Sequence, residues 1–372
     1  MLRVEHRMNC CVLEMEGPSE SSEPSEPSEP LRILYSLLLS LLLLPAALMN
    51  LTLLLTLLWS GDPDHRAPPE HRGSSRGPGS CFTLSLGASD LLLSLSVVPA
   101  ALYCAAAGVR RVEEDSLWCQ TGGFLLVLLQ TSSLHSRMWA AVGQYSEIRH
   151  ALSNDRLWTS MRIRVLVLLL WLYSIINAAL PVLRVGKYRY SPARALCVLS
   201  LVEVDAISRG MSLSWLSISM ATPLVLACVL QGYVAHVARV QARRGTFRCN
   251  ETHCFYIPAQ AYERSAHALL ISTASLVLCW APYLSVCLYE GLSLDLVPLW
   301  VSQGSMFLVL SSCAVNPAVT CLTQIQYRTA ARVFMSRLLQ LTMHPSPAYP
   351  PEATNQISTT RTSLPGVLVV TT

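Results

Sequence analysis

Charge is scarce in this chain. Asp, Glu, Lys and Arg make up 13% of its 372 residues, where an ordinary soluble domain has about 25%. A chain this long with half the usual charge and 52% hydrophobic residues is neither an ordinary soluble enzyme nor a disordered protein. Lysine is nearly absent: Lys187 is the only one, so the positive charge is almost all arginine. The net charge of +4 comes without a basic cluster dense enough to track phosphates, which excludes a nucleic-acid binder. The missing charge implies that long stretches lie in lipid.

A membrane helix needs roughly 20 mostly apolar residues. Such runs occur near 31–59, 82–107, 117–146, 162–183, 211–238, 266–289 and 297–322. The fold expected is therefore an all-α membrane protein, a bundle of seven transmembrane helices over 31–323. Pro45, Pro99, Pro181, Pro223, Pro282 and Pro317 fall inside the runs, where membrane helices tolerate proline. Residues 1–30 carry Ser-Glu-Pro repeats, with seven glutamates against two arginines. That composition cannot bury a core, so a disordered N-terminus is expected. No basic stretch leads into an apolar run with a small-residue cleavage site, so the first run is expected to act as a signal anchor.

Orientation follows from loop Lys and Arg. With the N-terminus outside, the inner segments hold 16 (three in 61–80, four in 146–164, five in 239–264, four after 324) and the outer segments nine. The excess favours N-terminus out, although Arg184, Lys187, Arg189, Arg194 and Arg209 crowd one outer loop. Over 324–340, Tyr327, Ala331, Phe334 and Leu338 fall on one helical face with Arg328, Arg332 and Arg337 elsewhere. This reads as a short amphipathic helix at the inner interface, with a disordered tail over 341–372. No cofactor or metal is expected. Cys249, His253 and Cys254 crowd one loop and lack a second ligand pair.

One marker per run carries a resemblance. These are Asn50; Leu84-Ser85-Leu86-Gly87-Ala88-Ser89-Asp90 with Pro99 nine residues on; Cys119; Trp171 with Pro181 ten residues later; Pro223; Cys279-Trp280-Ala281-Pro282-Tyr283; and Asn316-Pro317. In this order they resemble the rhodopsin-like (class A) G-protein-coupled receptors over about 31–340. The resemblance implies a receptor that passes an extracellular signal, or constitutive activity, to a heterotrimeric G protein and arrestin, and it implies no enzyme. It implies a Cys119–Cys197 disulfide and a sodium pocket of Asp90, Ser133 and Asn316. It also implies a ligand pocket of Leu126, Gln130, Trp215, Tyr283, Met306 and Leu310, and switch residues Trp280, Pro282, Asn316 and Pro317. Short segments (His236 to Arg244, Glu290-Gly291-Leu292, Leu364 to Val369) are similar to a ciliary orphan receptor of the family, one that restrains Hedgehog signalling.

The departures from the family pattern are as informative. The arginine expected twenty-five residues after Cys119 is Gln144. Thr320 replaces the span-seven tyrosine, and Gln231 the span-five tyrosine. Two amides and a hydroxyl stand where a guanidinium meets two phenols, so charge-assisted hydrogen bonds are lost. Arg137 lies two helical turns higher, where a guanidinium costs at least about 2.5–3.5 kcal/mol unless paired. Either it reaches Asp90 and takes the place of sodium, or it snorkels or faces a water-filled cavity. Leu126 stands where aminergic members keep an Asp, so a monoamine is not expected. Lys187 is in a loop, so there is no retinal Schiff base. The apolar pocket set suits a neutral or lipid-like ligand, or none. The basic outer loop either draws an acidic peptide or is a solvated face. In the tail, Ser358, Thr359, Thr360, Thr362 and Ser363 resemble an arrestin-recruiting phosphorylation cluster. The competing reading of the whole chain is a non-signalling scaffold or trafficking partner built on the same bundle.

Overall fold

A computed structural model of the chain describes residues 28–59, 78–109, 111–113, 115–149, 154–202, 205–243, 246–249, 254–257, 259–323 and 327–329, with Arg332 and Ser336 beyond them. The N-terminal Ser-Glu-Pro segment, the C-terminal tail with its Ser/Thr cluster, His253 and most of the expected amphipathic helix lie outside the described residues.

The helices are α1 (Glu29–Trp59), α2 (Pro78–Ala107), α3 (Leu117–Arg149), the short α4 (Asn154–Leu157), α5 (Ser160–Val182), α6 (Ala206–Ser214), α7 (Thr222–Ala242), α8 (Ala259–Ser293) and α9 (Leu299–Thr323). A π-helical stretch, Trp215–Ala221, joins α6 and α7 into one span. Two antiparallel hairpins complete the fold: β1 (Tyr188–Ser191) with β2 (Leu196–Leu199), and β3 (Thr246–Cys249) with β4 (Cys254–Ile257).

The order of the bundle follows from which faces are apolar and where they point. Along α1, Leu37, Leu41, Leu44, Leu48, Leu51, Leu55 and Leu58 recur at alternating spacings of four and three and are exposed. Tyr35, Leu39, Ala46, Asn50 and Leu53 on the other side are buried. A helix that turns leucines outward and a polar amide inward suits a lipid solvent. The helices close a ring: α1 packs on α2 and α9, α7 on α8, α8 on α9, and α3 runs through the middle against α2, α5 and α7.

Among the described residues, six helices are long and apolar enough to cross a membrane by length and composition. The seventh expected apolar run, α3, falls short of that standard. It carries Gln130, Thr131, Ser132, Ser133, Ser136 and Arg137, all buried. Ringed by other helices, α3 can be polar where a lipid-facing helix cannot.

Local sequence sets the helix ends. Thr159 caps α5, its Oγ1 accepting from the Arg162 amide at 3.4 Å. Asp205 caps α6, its carboxylate accepting from the Ser208 amide at 2.9 Å. This bond holds the Asp205 carboxyl below its ordinary range. Just before Pro223, the Thr222 hydroxyl donates to the carbonyl of Ser217, five residues back, at 2.9 Å. That hydroxyl satisfies a carbonyl in the widened turn, and the turn aims Trp215 into the core. The family resemblance placed a proline here, but nothing in its spacing announced the bulge.

Candidate functional site

Four layers stack along the bundle axis. The first is the disulfide end. Cys119, at the start of α3, is bonded to Cys197 in β2, and their Cα atoms are 5.3 Å apart. The bond pins the β1–β2 hairpin over the helices, and Tyr190 pairs with Cys197 in its register. Tyr188 is buried, with its hydroxyl donating to the Ala178 carbonyl at 2.9 Å. Its ring lies on Gly123, where a Cβ would overlap it. Tyr190 donates to the Val109 carbonyl at 2.8 Å. Burial raises both phenols above their ordinary range.

The turn of this hairpin brings Arg194 inward, followed by Ala195 at a positive φ of 52°. Nη2 of Arg194 donates to Oε2 of Glu290 at 2.6 Å and Nε to the Ser302 hydroxyl at 3.0 Å. Its guanidinium stands 5.7 Å from the centre of the Tyr283 ring. The Tyr35 hydroxyl donates to the Arg194 carbonyl at 3.4 Å. Both charged side chains of the pair are only 5% exposed. Burial alone would lower the guanidinium; Cys287, Tyr283 and Glu290 outweigh it and raise it. The outer loop is therefore not uniformly a solvated basic face. Arg184, Lys187 and Arg189 are exposed, but Arg194 is an internal latch and Tyr188 an anchor. Sequence reasoning missed Glu290 as a site residue. The available signal was a carboxylate among the apolar residues of the second half of α8.

The second layer lies beneath the latch. Leu126, Gln130, Trp215, Tyr283, Met306 and Leu310 are all buried. The five other than Gln130 belong to one hydrophobic cluster, which also holds Trp280. Trp215 Nε1 donates to the Thr131 hydroxyl at 3.4 Å. Neither amide atom of Gln130 has a hydrogen-bond partner among the described residues.

The third layer is a polar chain at mid-bundle. Asp90 on α2 accepts from the Ser133 hydroxyl at 2.8 Å and from Nδ2 of Asn316 at 2.8 Å. Oδ1 of Asn316 accepts from Nη2 of Arg137, and Nη1 of Arg137 donates to the Ser272 hydroxyl at 2.9 Å. Arg137 is 6% exposed. Of the two alternatives for Arg137, the direct hydrogen bond to Asp90 is not made here: the amide of Asn316 lies between them. An asparagine has an acceptor at one end and donors at the other, so it can bridge a guanidinium and a carboxylate without bringing them into contact. Ser272 on α8 is a further member that sequence reasoning missed; one serine among several on the same helix gave no signal. Serine pairs brace the same level: Ser89 with Ser132 at 2.8 Å and Ser85 with Ser136 at 2.9 Å, with Trp171 donating to Ser85 at 3.0 Å. Asn50 ties α1 in, donating to the Cys313 carbonyl at 2.6 Å.

The fourth layer holds the three departures, and they do not meet through hydrogen bonds. Gln144 has a buried Oε1 with no partner among the described residues. Gln231 accepts from Thr273 at 2.9 Å, and Thr320 donates to the Asn316 carbonyl in its own helix at 2.8 Å. The side-chain hydrogen bonding that ties α3 to α9 thus sits one layer higher, at Arg137.

The model of the 7 transmembrane receptor (rhodopsin family) matches residues 71–319. The chain belongs to the rhodopsin family of seven-transmembrane receptors. Its curated relatives in this family include the histamine H2 receptor of Cavia porcellus, 24% identical over 272 residues, covering 71% of this chain and 72% of that one. They also include melatonin receptor type 1A-A of Danio rerio, 24% identical over 245 residues, covering 65% and 67%. Squid rhodopsin shares the seven-helix fold at a TM-score of 0.63 and 17% identity, covering 86% of this chain and 89% of that structure. Rhodopsin-family proteins are membrane signalling receptors rather than enzymes, with a ligand and a G protein as partners. The disulfide expected from the resemblance is present.

Proposed function

We propose that this receptor signals through a rewired relay, in which Arg137 does in mid-bundle what an arginine at position 144 does in most of the family. The observation that carries this is the chain from Ser272 through Arg137 and Asn316 to Asp90 and Ser133, which ties α8, α3, α9 and α2 together through one guanidinium. In the family pattern a sodium ion and a separate arginine share these roles. Here a fixed cation sits beside the carboxylate through an amide, so sodium has no vacancy to fill. The resting state is held by this network, and its rearrangement is the switch, together with Trp280, Pro282 and Pro317.

The ligand is neutral or lipid-like, or activity is constitutive. Leu126 offers no carboxylate to an amine such as the one named for the histamine relative. Arg194 of the hairpin fills the entry above the pocket residues with the receptor's own cation. The N-terminus faces outward at the plasma membrane, which puts the hairpin outside and Gln144 inside. Arrestin is the second cytosolic partner, through Ser358, Thr359, Thr360, Thr362 and Ser363.

The test is basal G-protein activation and arrestin recruitment in cells for wild type, Arg137→Leu and Gln144→Arg at matched surface level. The relay predicts measurable wild-type activity that Arg137→Leu changes at least threefold. If all three are silent, the chain is a scaffold built on a receptor fold and the signalling reading fails.

A further inference from the structure

A cavity at the disulfide end lies apart from the packed pocket residues under the hairpin. It encloses about 320 Å³ and is walled by α1, the end of α2, the hairpin and α9. That volume is at the small end of the range for small-molecule sites. Its chemistry is polar. Glu29 and Arg32 line it from α1, Tyr190 and Ala195 from the hairpin, and Gln303 from α9.

Two features mark it as built for an occupant. Gln303 is 4% exposed, and its buried Oε1 has no partner among the described residues. An amide so placed is destabilising unless something hydrogen-bonds it. Arg32 is half-buried, with its guanidinium lying over Gly108 at the left-handed end of α2. No acidic side chain among the described residues pairs with it. Glu29, three residues earlier on the same helix, does not pair with it either. Among the described residues, one cavity therefore presents a half-buried cation, an exposed carboxylate and a buried amide oxygen, none of them paired.

We infer that this cavity binds a small zwitterionic headgroup. Its acidic group, a phosphate or carboxylate, pairs with Arg32; its ammonium faces Glu29; a further polar atom satisfies Gln303. A free small molecule and a lipid headgroup share this chemistry. The site also touches the latch. Ala195 follows Arg194, and Gln303 follows Ser302, the residues that hold each other at 3.0 Å. An occupant packs against the backbone carrying both partners of that bond. Binding itself does not depend on the signalling proposed above, so its failure is distinct from the failure of that reading.

The experiment is thermal unfolding of the full chain in dodecyl maltoside micelles, titrated with soluble phosphoethanolamine, and in parallel in the same micelles doped with phosphatidylethanolamine. A rise in the unfolding midpoint with the soluble probe supports a free small molecule. A rise with the lipid alone supports a lipid headgroup. In either case Arg32→Leu, half-buried at the cavity, and Gln303→Leu, in its buried wall, should weaken half-saturation at least tenfold. No rise with either probe overturns the proposal, as does an unchanged response in both variants.

Discussion

A guanidinium inside a bilayer is tolerated where its N–H groups find acceptors or water, and the two Nη atoms of Arg137 have side-chain acceptors on two other helices, while its buried Nε has no partner among the described residues. Arg137→Leu should strip Asn316 of its charged donor and lower stability by about 2 kcal/mol, the scale of a hydrogen bond to a charged group. The unfolding midpoint in sodium-free nanodiscs measures this. Arg137→Lys should not restore it, because an ammonium lacks the planar fork that spans Ser272 and Asn316. A lysine variant as stable as wild type would show that charge alone suffices. Arg137 was legible as an anomaly because a mid-span cation has few explanations. Its partner was only half legible: charge pairing pointed to Asp90, but an intervening amide leaves no mark in sequence spacing. Gln144, Gln231 and Thr320 were legible as departures, and their lack of mutual hydrogen bonds follows from short neutral side chains that cannot bridge the gap a guanidinium and two phenols would fill.

The β1–β2 hairpin is held by a covalent bond, a buried ring and a buried ion pair. Each predicts a different failure. Cys119–Cys197 closes a sequence separation of 78 residues, so Cys119→Ser should cost about 2–5 kcal/mol and reduce surface expression. Gly123→Ala forces its new Cβ into the Tyr188 ring. Overpacking of this kind costs about 1–3 kcal/mol, read as a lowered unfolding midpoint, and Tyr188→Leu on the same background should recover part of it. Glu290→Gln leaves the Arg194 charge buried without its counter-charge and should destabilise by about 3–5 kcal/mol, whereas the apolar double variant Arg194→Met with Glu290→Leu should cost far less. Equal losses in the single and double variants would contradict the latch. Of these restraints, the disulfide was readable from the family resemblance. The inward turn of Arg194 was not, because nothing in a loop sequence distinguishes a cation that folds under from one that points to water. The β3–β4 hairpin in the 239–264 segment was likewise invisible to a reading based on helical runs.

For the whole molecule, seven runs and their order were legible because lipid enforces length and apolarity on every helix it touches. The exception, α3, proves polar in its middle because residues 126–134, Ser136 and Arg137 are buried within the bundle. That central helix carries the account's main claim: a receptor of the rhodopsin family whose mid-bundle cation is its own arginine. The most direct measurement is the unfolding midpoint of the full chain in nanodiscs, titrated with sodium chloride against potassium chloride at constant ionic strength. Wild type should show no difference between the two salts, and Arg137→Leu should gain a sodium-specific rise that Asp90→Asn abolishes. A sodium-specific rise in wild type, or none in Arg137→Leu, would contradict the account.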